Sequence, residues 1–184
     1  MKKLLVLAAF FGAVSLANAQ GYAGIEYADN HNRATGADSY TPAVVVGVKN
    51  GAWQYSGKTS WTQAEYGNGA ITTAYEARIK HSWKVAGGTP YAQVRLGEQV
   101  SSTTNFSYYA VDAGVVVPVV AKVGVDFSYR YRNAFSTGNN FETNRYGIEP
   151  VVQLTDKDKV GLRYTRSYGD SETNSWRLAY TRSF

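Results

Sequence analysis

The sequence contains no cysteine, one methionine, four prolines and two histidines among its 184 residues. The absence of cysteine excludes disulfide bonds, thiolate metal sites and a cysteine nucleophile. His31 lies beside Asp29 in a predicted loop, and His81 lies near the end of a predicted strand. Neither is placed as a metal ligand or a catalytic base. We therefore expect no enzymatic activity, no metal and no cofactor.

Long hydrophobic runs are also absent, apart from Leu4 to Leu16 near the amino terminus. Two lysines precede this run and Ala17-Asn18-Ala19 follows it, which is the pattern of a cleavable signal peptide. The run is shorter than the roughly 20 residues that a membrane-spanning helix needs. The sequence therefore predicts export, with a signal peptide at residues 1–19 and one mature domain at residues 20–184.

Positively charged residues are only slightly more numerous than negatively charged ones. Nineteen Lys and Arg residues against 14 Asp and Glu give +5 at pH 7, and about +3 once Lys2 and Lys3 are removed. This excess is too small to indicate a nucleic-acid partner. The mean hydropathy is −0.33, which is compatible with a membrane β-barrel because such a barrel carries its apolar residues at alternate positions.

Turn residues divide the mature chain into segments of strand length. Asn50-Gly51 and Gly87-Gly88 suit tight hairpin turns that need positive φ, and Asp156-Lys157-Asp158 marks a third short turn. A fourth is predicted at Pro118, because proline cannot donate to a central ladder. Longer polar stretches lie between them at 29–38, 65–69, 101–105, 135–141 and 169–172. The pattern predicts about ten strands, with eight or twelve as alternatives, near residues 21–28, 41–49, 52–64, 70–85, 89–100, 106–117, 122–134, 142–154, 159–168 and 173–184.

Apolar and polar residues alternate along these segments, which gives each strand two different faces. From Val123 to Tyr131 the odd positions are apolar or aromatic, whereas the even positions from Gly124 to Arg132 are small or charged. A soluble β-sandwich would also alternate, but the signal peptide and the aromatic carboxy terminus favour a membrane protein. We therefore predict an all-β fold: a single antiparallel up-and-down transmembrane β-barrel.

The carboxy-terminal segment carries a family resemblance. Trp176, Leu178, Tyr180 and Phe184 resemble the assembly signal on the closing strand of Gram-negative outer-membrane β-barrels, and Arg182 departs from that pattern because those strands usually carry an apolar residue there. The resemblance implies an outer-membrane location, contact with outer-membrane lipid, and the barrel assembly machinery as a partner.

The alternation assigns every second residue of a strand to the inward face, and we call such positions residues of inward parity. The charged residues among them define the predicted lumen. Nine are basic: Lys58, Arg78, Lys80, Arg95, Arg130, Arg132, Arg145, Arg163 and Arg177. Five are acidic: Glu26, Glu76, Asp112, Asp126 and Glu149. Fixed cations in a pore concentrate anions. The sequence therefore predicts a porin-like channel with a narrow, basic lumen for small anionic or polar solutes.

Two other functions remain open at this stage. The interior of a barrel of about eight strands is filled by side chains, so ion pairs between the lumenal acids and arginines would give a stiff, non-conducting barrel. Adhesion or partner binding through the outer loops is a third possibility.

The basic residues on the last four strands carry a second resemblance. Arg130, Arg132, Arg145, Arg163 and Arg177 resemble the inward basic rows of the oligogalacturonate-specific porin family, small barrels that take acidic oligosaccharides. The chain is shorter than that family's pattern of twelve strands. The resemblance implies a porin that takes acidic solutes.

Overall fold

The computed structural model describes residues 19–65, 71–139 and 141–184. The predicted signal peptide, apart from Ala19, lies outside the described residues. No helix within those ranges is long and apolar enough to cross a membrane. The strands are β1 (Gln20–Asn32), β2 (Asp38–Asn50), β3 (Trp53–Ala64), β4 (Ile71–Ser82), β5 (Thr89–Val100), β6 (Asn105–Val120), β7 (Val123–Ala134), β8 (Thr143–Gln153), β9 (Asp158–Gly169) and β10 (Thr173–Ser183).

The ten strands form a closed antiparallel barrel. Each pairs with its neighbours in the chain, and β1 also pairs with β10, from Tyr22 opposite Ser183 to Asn32 opposite Thr173. Closure leaves the sheet without a free edge, which removes the unpaired backbone groups that an edge strand exposes. The predicted all-β, up-and-down barrel is confirmed, and its ten strands exclude the alternatives of eight and twelve.

The connections between strands lie alternately at the two ends of the barrel. One end, here called the turn end, carries four connections of two to six residues: 51–52, 83–88, 121–122 and 154–157. The opposite end, called the loop end, carries the described connecting residues 33–37, 65, 101–104, 135–139, 141–142 and 170–172. Gln20 and Phe184 lie at the turn end, where the Phe184 N–H donates to the Gly21 carbonyl at 2.9 Å.

Glycine sets two of the two-residue turns, and each turn lies one residue away from the dipeptide that the sequence predicts. Asn50 pairs with Trp53, so the first turn consists of Gly51 and Ala52, with Gly51 at φ 58°. That geometry fits a turn whose first central residue must adopt positive φ. At the second turn Val85 pairs with Gly88, and Gly87 has φ 82°.

The prediction of a turn at Pro118 is wrong by a few residues. β6 continues to Val120, and the turn consists of Ala121 and Lys122. Pro118 lies within the strand opposite Gly124, and the pairing register shifts between Pro118 and Val120. A β-bulge tolerates a residue without an N–H, so proline is accommodated here without ending the strand.

The first loop is shorter than the sequence suggests. β1 continues through Asn32 and β2 begins at Asp38, so His31 lies in a strand and not in a loop. Asn30 faces inward and its side-chain amide donates to Thr41 Oγ1 at 3.1 Å. Polar side chains on the inner wall of a barrel do not end a strand, and this is why the predicted boundary fell too early.

The two faces of the sheet differ in chemistry. Outward apolar side chains are exposed, including Ile25 at 62%, Leu96 at 51% and Leu178 at 54%. Inward charged side chains are buried, including Arg95 at 7% and Asp112 at 4%. This arrangement is the reverse of a soluble protein and places the charges of the barrel in its interior.

Aromatic residues cluster near both ends of the outer face. At the turn end the His81 ring lies between Trp53 and Trp83, with ring centroids 4.4 and 4.6 Å away. Toward the loop end Tyr164 and Trp176 lie 4.9 Å apart. Amphipathic rings in two bands are typical of side chains that lie at the two interfaces of a bilayer.

Candidate functional site

The structure places all fourteen charged residues of inward parity on the inner wall. They line two cavities, a turn-side vestibule of about 750 Å³ and a loop-side vestibule of about 360 Å³. Four arginines line both vestibules: Arg78, Arg95, Arg163 and Arg177. These four arginines therefore lie at the level between the two vestibules.

One side of that level is built on Glu76 and Asp112. Glu76 accepts from Arg78 at 2.5 Å and from Arg95 at 3.2 Å. Arg95 also donates through Nε to Asp112 at 2.6 Å, and Arg130 Nε donates to the same carboxylate at 2.7 Å. These side chains come from four consecutive strands, β4 to β7, and alternate in charge around the wall.

The other side is built on Glu26, Glu149 and Asp126. Lys58 donates to Glu26 at 2.5 Å, and Arg177 connects Glu26 at 3.3 Å to Glu149 at 3.1 Å. Arg163 then connects Glu149 to Asp126, the second contact being 2.7 Å. We call the residues of both sides the ionic belt: Glu26, Lys58, Glu76, Arg78, Arg95, Asp112, Asp126, Arg130, Glu149, Arg163 and Arg177.

Two tyrosines complete the belt, and the sequence analysis did not identify them. The Tyr91 hydroxyl donates to Asp126 at 2.9 Å and the Tyr108 hydroxyl donates to Glu76 at 3.0 Å. A side chain at Gly97 would overlap the Tyr108 ring. The parity that Tyr108 shares with Asp112 on β6 is the sequence signal that could have placed it in the lumen.

Three of the nine basic residues that the sequence places in the lumen form no ion pair among the described residues. Within the described residues no carboxylate lies within ion-pair distance of Lys80, Arg132 or Arg145. Lys80 Nζ lies 3.6 Å from the centroid of the Tyr91 ring. Lys80 lines the turn-side vestibule, and the two arginines line the loop-side vestibule. Each vestibule thus keeps an uncompensated positive charge, and such a charge attracts anions.

Lysines add to this charge at the turn end. Lys84, Lys122 and Lys159 line the turn-side vestibule together with Lys80. The ionic belt separates them from the loop-side vestibule. In the described part of the chain, no three metal-ligating side chains converge on one point.

The residues of the predicted assembly signal lie on β10 or just after it. Trp176 and Leu178 point outward, at 53% and 54% exposure, and Phe184 is 69% exposed. The Tyr180 hydroxyl donates to Asp158 Oδ1 at 2.6 Å, and Arg182 lies 3.2 Å from the same oxygen. Arg182, the departure from the family pattern, is therefore held by a carboxylate at the turn end.

Comparison with known proteins gives similarity of fold. No family model and no curated protein sequence matches the chain. An outer membrane channel from Pseudomonas putida F1 has a TM-score of 0.53 at 7% identity, covering 90% of this chain and 96% of that one. The β domain of the Bordetella autotransporter BrkA has a TM-score of 0.51 at 11% identity, covering 90% and 99%. The KdgM porin in complex with oligogalacturonate scores 0.48 at 10% identity, covering 90% and 99%, so that resemblance is weak. The chain shares the closed antiparallel barrel of Gram-negative outer-membrane proteins.

Proposed function

We propose that this chain is an outer-membrane β-barrel that passes small anions through a narrow lumen. The proposal rests on Lys80, Arg132 and Arg145, lumenal cations that have no carboxylate partner among the described residues. They occur in both vestibules, so positive charge lines the route on either side of the ionic belt. The belt is the constriction on that route.

The location in the membrane is supported by the outer face. Side chains such as Ile25, Val94 and Leu162 are exposed at 62%, 51% and 45%. Each square ångström of apolar surface removed from water contributes about 25 cal/mol, so a hydrocarbon environment favours this face strongly. Together with the predicted signal peptide, this face supports an outer membrane as the destination. Recovery of the intact protein in a soluble periplasmic fraction would contradict it.

The belt restricts what can pass. Its guanidinium groups extend into the lumen from opposite sides, and a passing ion has to move between fixed, alternating charges. Small anions that exchange their water for guanidinium N–H donors meet favourable partners there. Large solutes are excluded, because a ten-stranded barrel is close in size to barrels whose interior is filled by side chains.

A second candidate is a non-conducting barrel that serves a structural role. The observation that favours it is the complete pairing of the five lumenal acids, since each contacts at least one basic side chain. A network of this kind stiffens the barrel and fills its centre. If the barrel does not conduct, Lys80, Arg132 and Arg145 are solvated side chains and no anions pass along them.

Recordings in a planar bilayer separate the two candidates. If the protein is a channel, the purified, heat-modifiable barrel gives small, discrete conductance steps once it has inserted into the membrane. The steps are small because the belt leaves little room for hydrated ions. Absence of conductance at every voltage, from protein that has inserted and shows heat modifiability, would leave the structural barrel as the function.

A further inference from the structure

Three pairs of arginines face each other across neighbouring strands of this barrel. The pairs are Arg78 with Arg95, Arg163 with Arg177, and Arg130 with Arg145. Like charges directly opposite each other on a sheet are destabilising. Each pair therefore needs an anion close to both guanidinium groups.

In two of the pairs the protein supplies that anion. One Glu76 oxygen accepts from both Arg78 and Arg95. Glu149 accepts from both Arg163 and Arg177. A carboxylate that bridges two guanidinium groups is thus the way in which this lumen neutralises an arginine pair.

The third pair has no such bridge. Arg130 contacts Asp112 at 2.7 Å, but Asp112 does not reach Arg145. Arg145 instead donates through Nε to the neutral hydroxyl of Ser167 at 2.9 Å. Throughout the described ranges, no acidic side chain makes an ion pair with Arg145. One bridging position in the lumen is therefore not filled by the chain itself.

The register identifies where the missing carboxylate would stand. Glu76 precedes Arg78 by two residues and lies opposite Gly97, which follows Arg95 by two residues. At the third pair, Ser128 precedes Arg130 by two residues and lies opposite Gly147, which follows Arg145 by two. The two arrangements match in sequence spacing and in cross-strand pairing, with serine in place of glutamate. Because β4 and β7 run in opposite directions, Glu76 lies on the loop side of its arginine pair and Ser128 lies on the turn side of its own.

A third arginine and an aromatic ring lie on the loop side of the Arg130–Arg145 pair. The guanidinium of Arg132 stacks on Phe141, 3.7 Å from the ring centroid, and its Nε donates to Thr143 at 3.2 Å. The stacked, hydrogen-bonded guanidinium is fixed in place and carries no carboxylate partner in the described structure. Arg130, Arg132 and Arg145 all line the loop-side vestibule of about 360 Å³.

We propose that the loop-side vestibule is a binding site for a small carboxylate, held between Arg145, Arg132 and Arg130. The ligand's carboxylate takes, beside Arg130 and Arg145, the place that Glu76 occupies beside Arg78 and Arg95. Arginine suits this role because its fork of N–H donors matches the two oxygens of a carboxylate. The vestibule has room for an organic acid of a few carbon atoms. The inference deepens the proposed function, because it assigns a solute class to the same lumen, yet binding does not require conduction.

The test compares Ser128→Glu with its neutral match Ser128→Gln. The purified, folded barrel in detergent is titrated with sodium succinate at constant ionic strength, balanced with sodium chloride, and the midpoint of thermal unfolding is followed. A ligand that binds only the folded state raises this midpoint. We expect succinate to raise it for the wild type and for Ser128→Gln.

We expect Ser128→Glu to lose that response, because its own carboxylate would bridge Arg130 and Arg145. Succinate affinity should fall about tenfold or more, as for the loss of a charge-assisted pair. Arg145→Gln, which leaves the ionic belt intact, should lose the response in the same way if Ser128→Glu does not fold. Lys80→Gln, in the other vestibule, should keep it.

Three results would overturn the proposal. The first is a wild type that succinate does not stabilise beyond chloride. The second is a response that survives in both Ser128→Glu and Arg145→Gln. The third is equal stabilisation by inorganic phosphate, which would make the site a general oxyanion site and not a carboxylate site. None of these readouts depends on ion current, so failure here and failure of the channel proposal are distinguishable.

Discussion

Replacement of Asp112 by asparagine should lower the free energy of unfolding by about 3–5 kcal/mol, the usual cost of removing one partner from a buried ion pair. Asp112 is 4% exposed and receives N–H donors from Arg95 and Arg130. Asparagine keeps the size of the side chain but removes the charge, so two buried guanidinium groups lose the carboxylate that they share. The free energy of unfolding is measured by urea titration of the barrel in lipid vesicles, and heat modifiability reports the fraction that remains folded.

The matched control is Glu172→Gln at the loop end. Glu172 also pairs with an arginine, Arg33, at 3.3 Å, but its side chain is 47% exposed. Exposed ion pairs contribute at most about 1 kcal/mol, so this variant should unfold close to the wild type. Equal effects of the two substitutions would mean that the belt does not act as a buried network.

Opening the belt should increase conductance several-fold. Glu76→Ser combined with Arg95→Ser removes one charge of each sign, so the net charge of the lumen does not change. Arg95 lines both vestibules, and its loss together with Glu76 should join them through a wider, water-filled gap. Single-channel recording in planar bilayers measures the change.

Gln153→Ser provides the control for side-chain volume. Gln153 lines the turn-side vestibule, carries no charge and lies outside the ionic belt, so its removal should leave the size of the conductance steps nearly unchanged. If the double variant conducts no better than the wild type or Gln153→Ser, the belt is not the constriction.

The alternation of residues, together with the signal-peptide pattern and the aromatic carboxy terminus, was sufficient to predict the fold, and alternation alone predicted the wall on which each charge lies. Side chains in a strand point to opposite faces with a period of two, so the positions of Arg130, Asp126 and Phe127 follow once the strand is recognised. Strand number followed from the spacing of turn residues such as Gly51 and Gly87. The ends of strands were less predictable, because inward polar residues such as Asn30 look like loop residues in the sequence.

The partners of the lumenal charges could not be predicted from the sequence. Arg163 on β9 reaches Asp126 on β7, and Arg177 on β10 reaches Glu149 on β8. Such contacts skip a strand and depend on the curvature and stagger of the closed sheet. A count of charges gave the excess of cations, but only the closed barrel separates paired arginines from Arg145.

The central claim is that unpaired lumenal cations make the passage prefer anions. The most direct measurement is the reversal potential of wild-type channels across a gradient of potassium chloride, at low and at high mean salt. The account predicts a potential with the sign of anion preference, and a smaller one at high salt because mobile ions screen the fixed charges. A potential with the sign of cation preference, or one of zero at low salt, would contradict it.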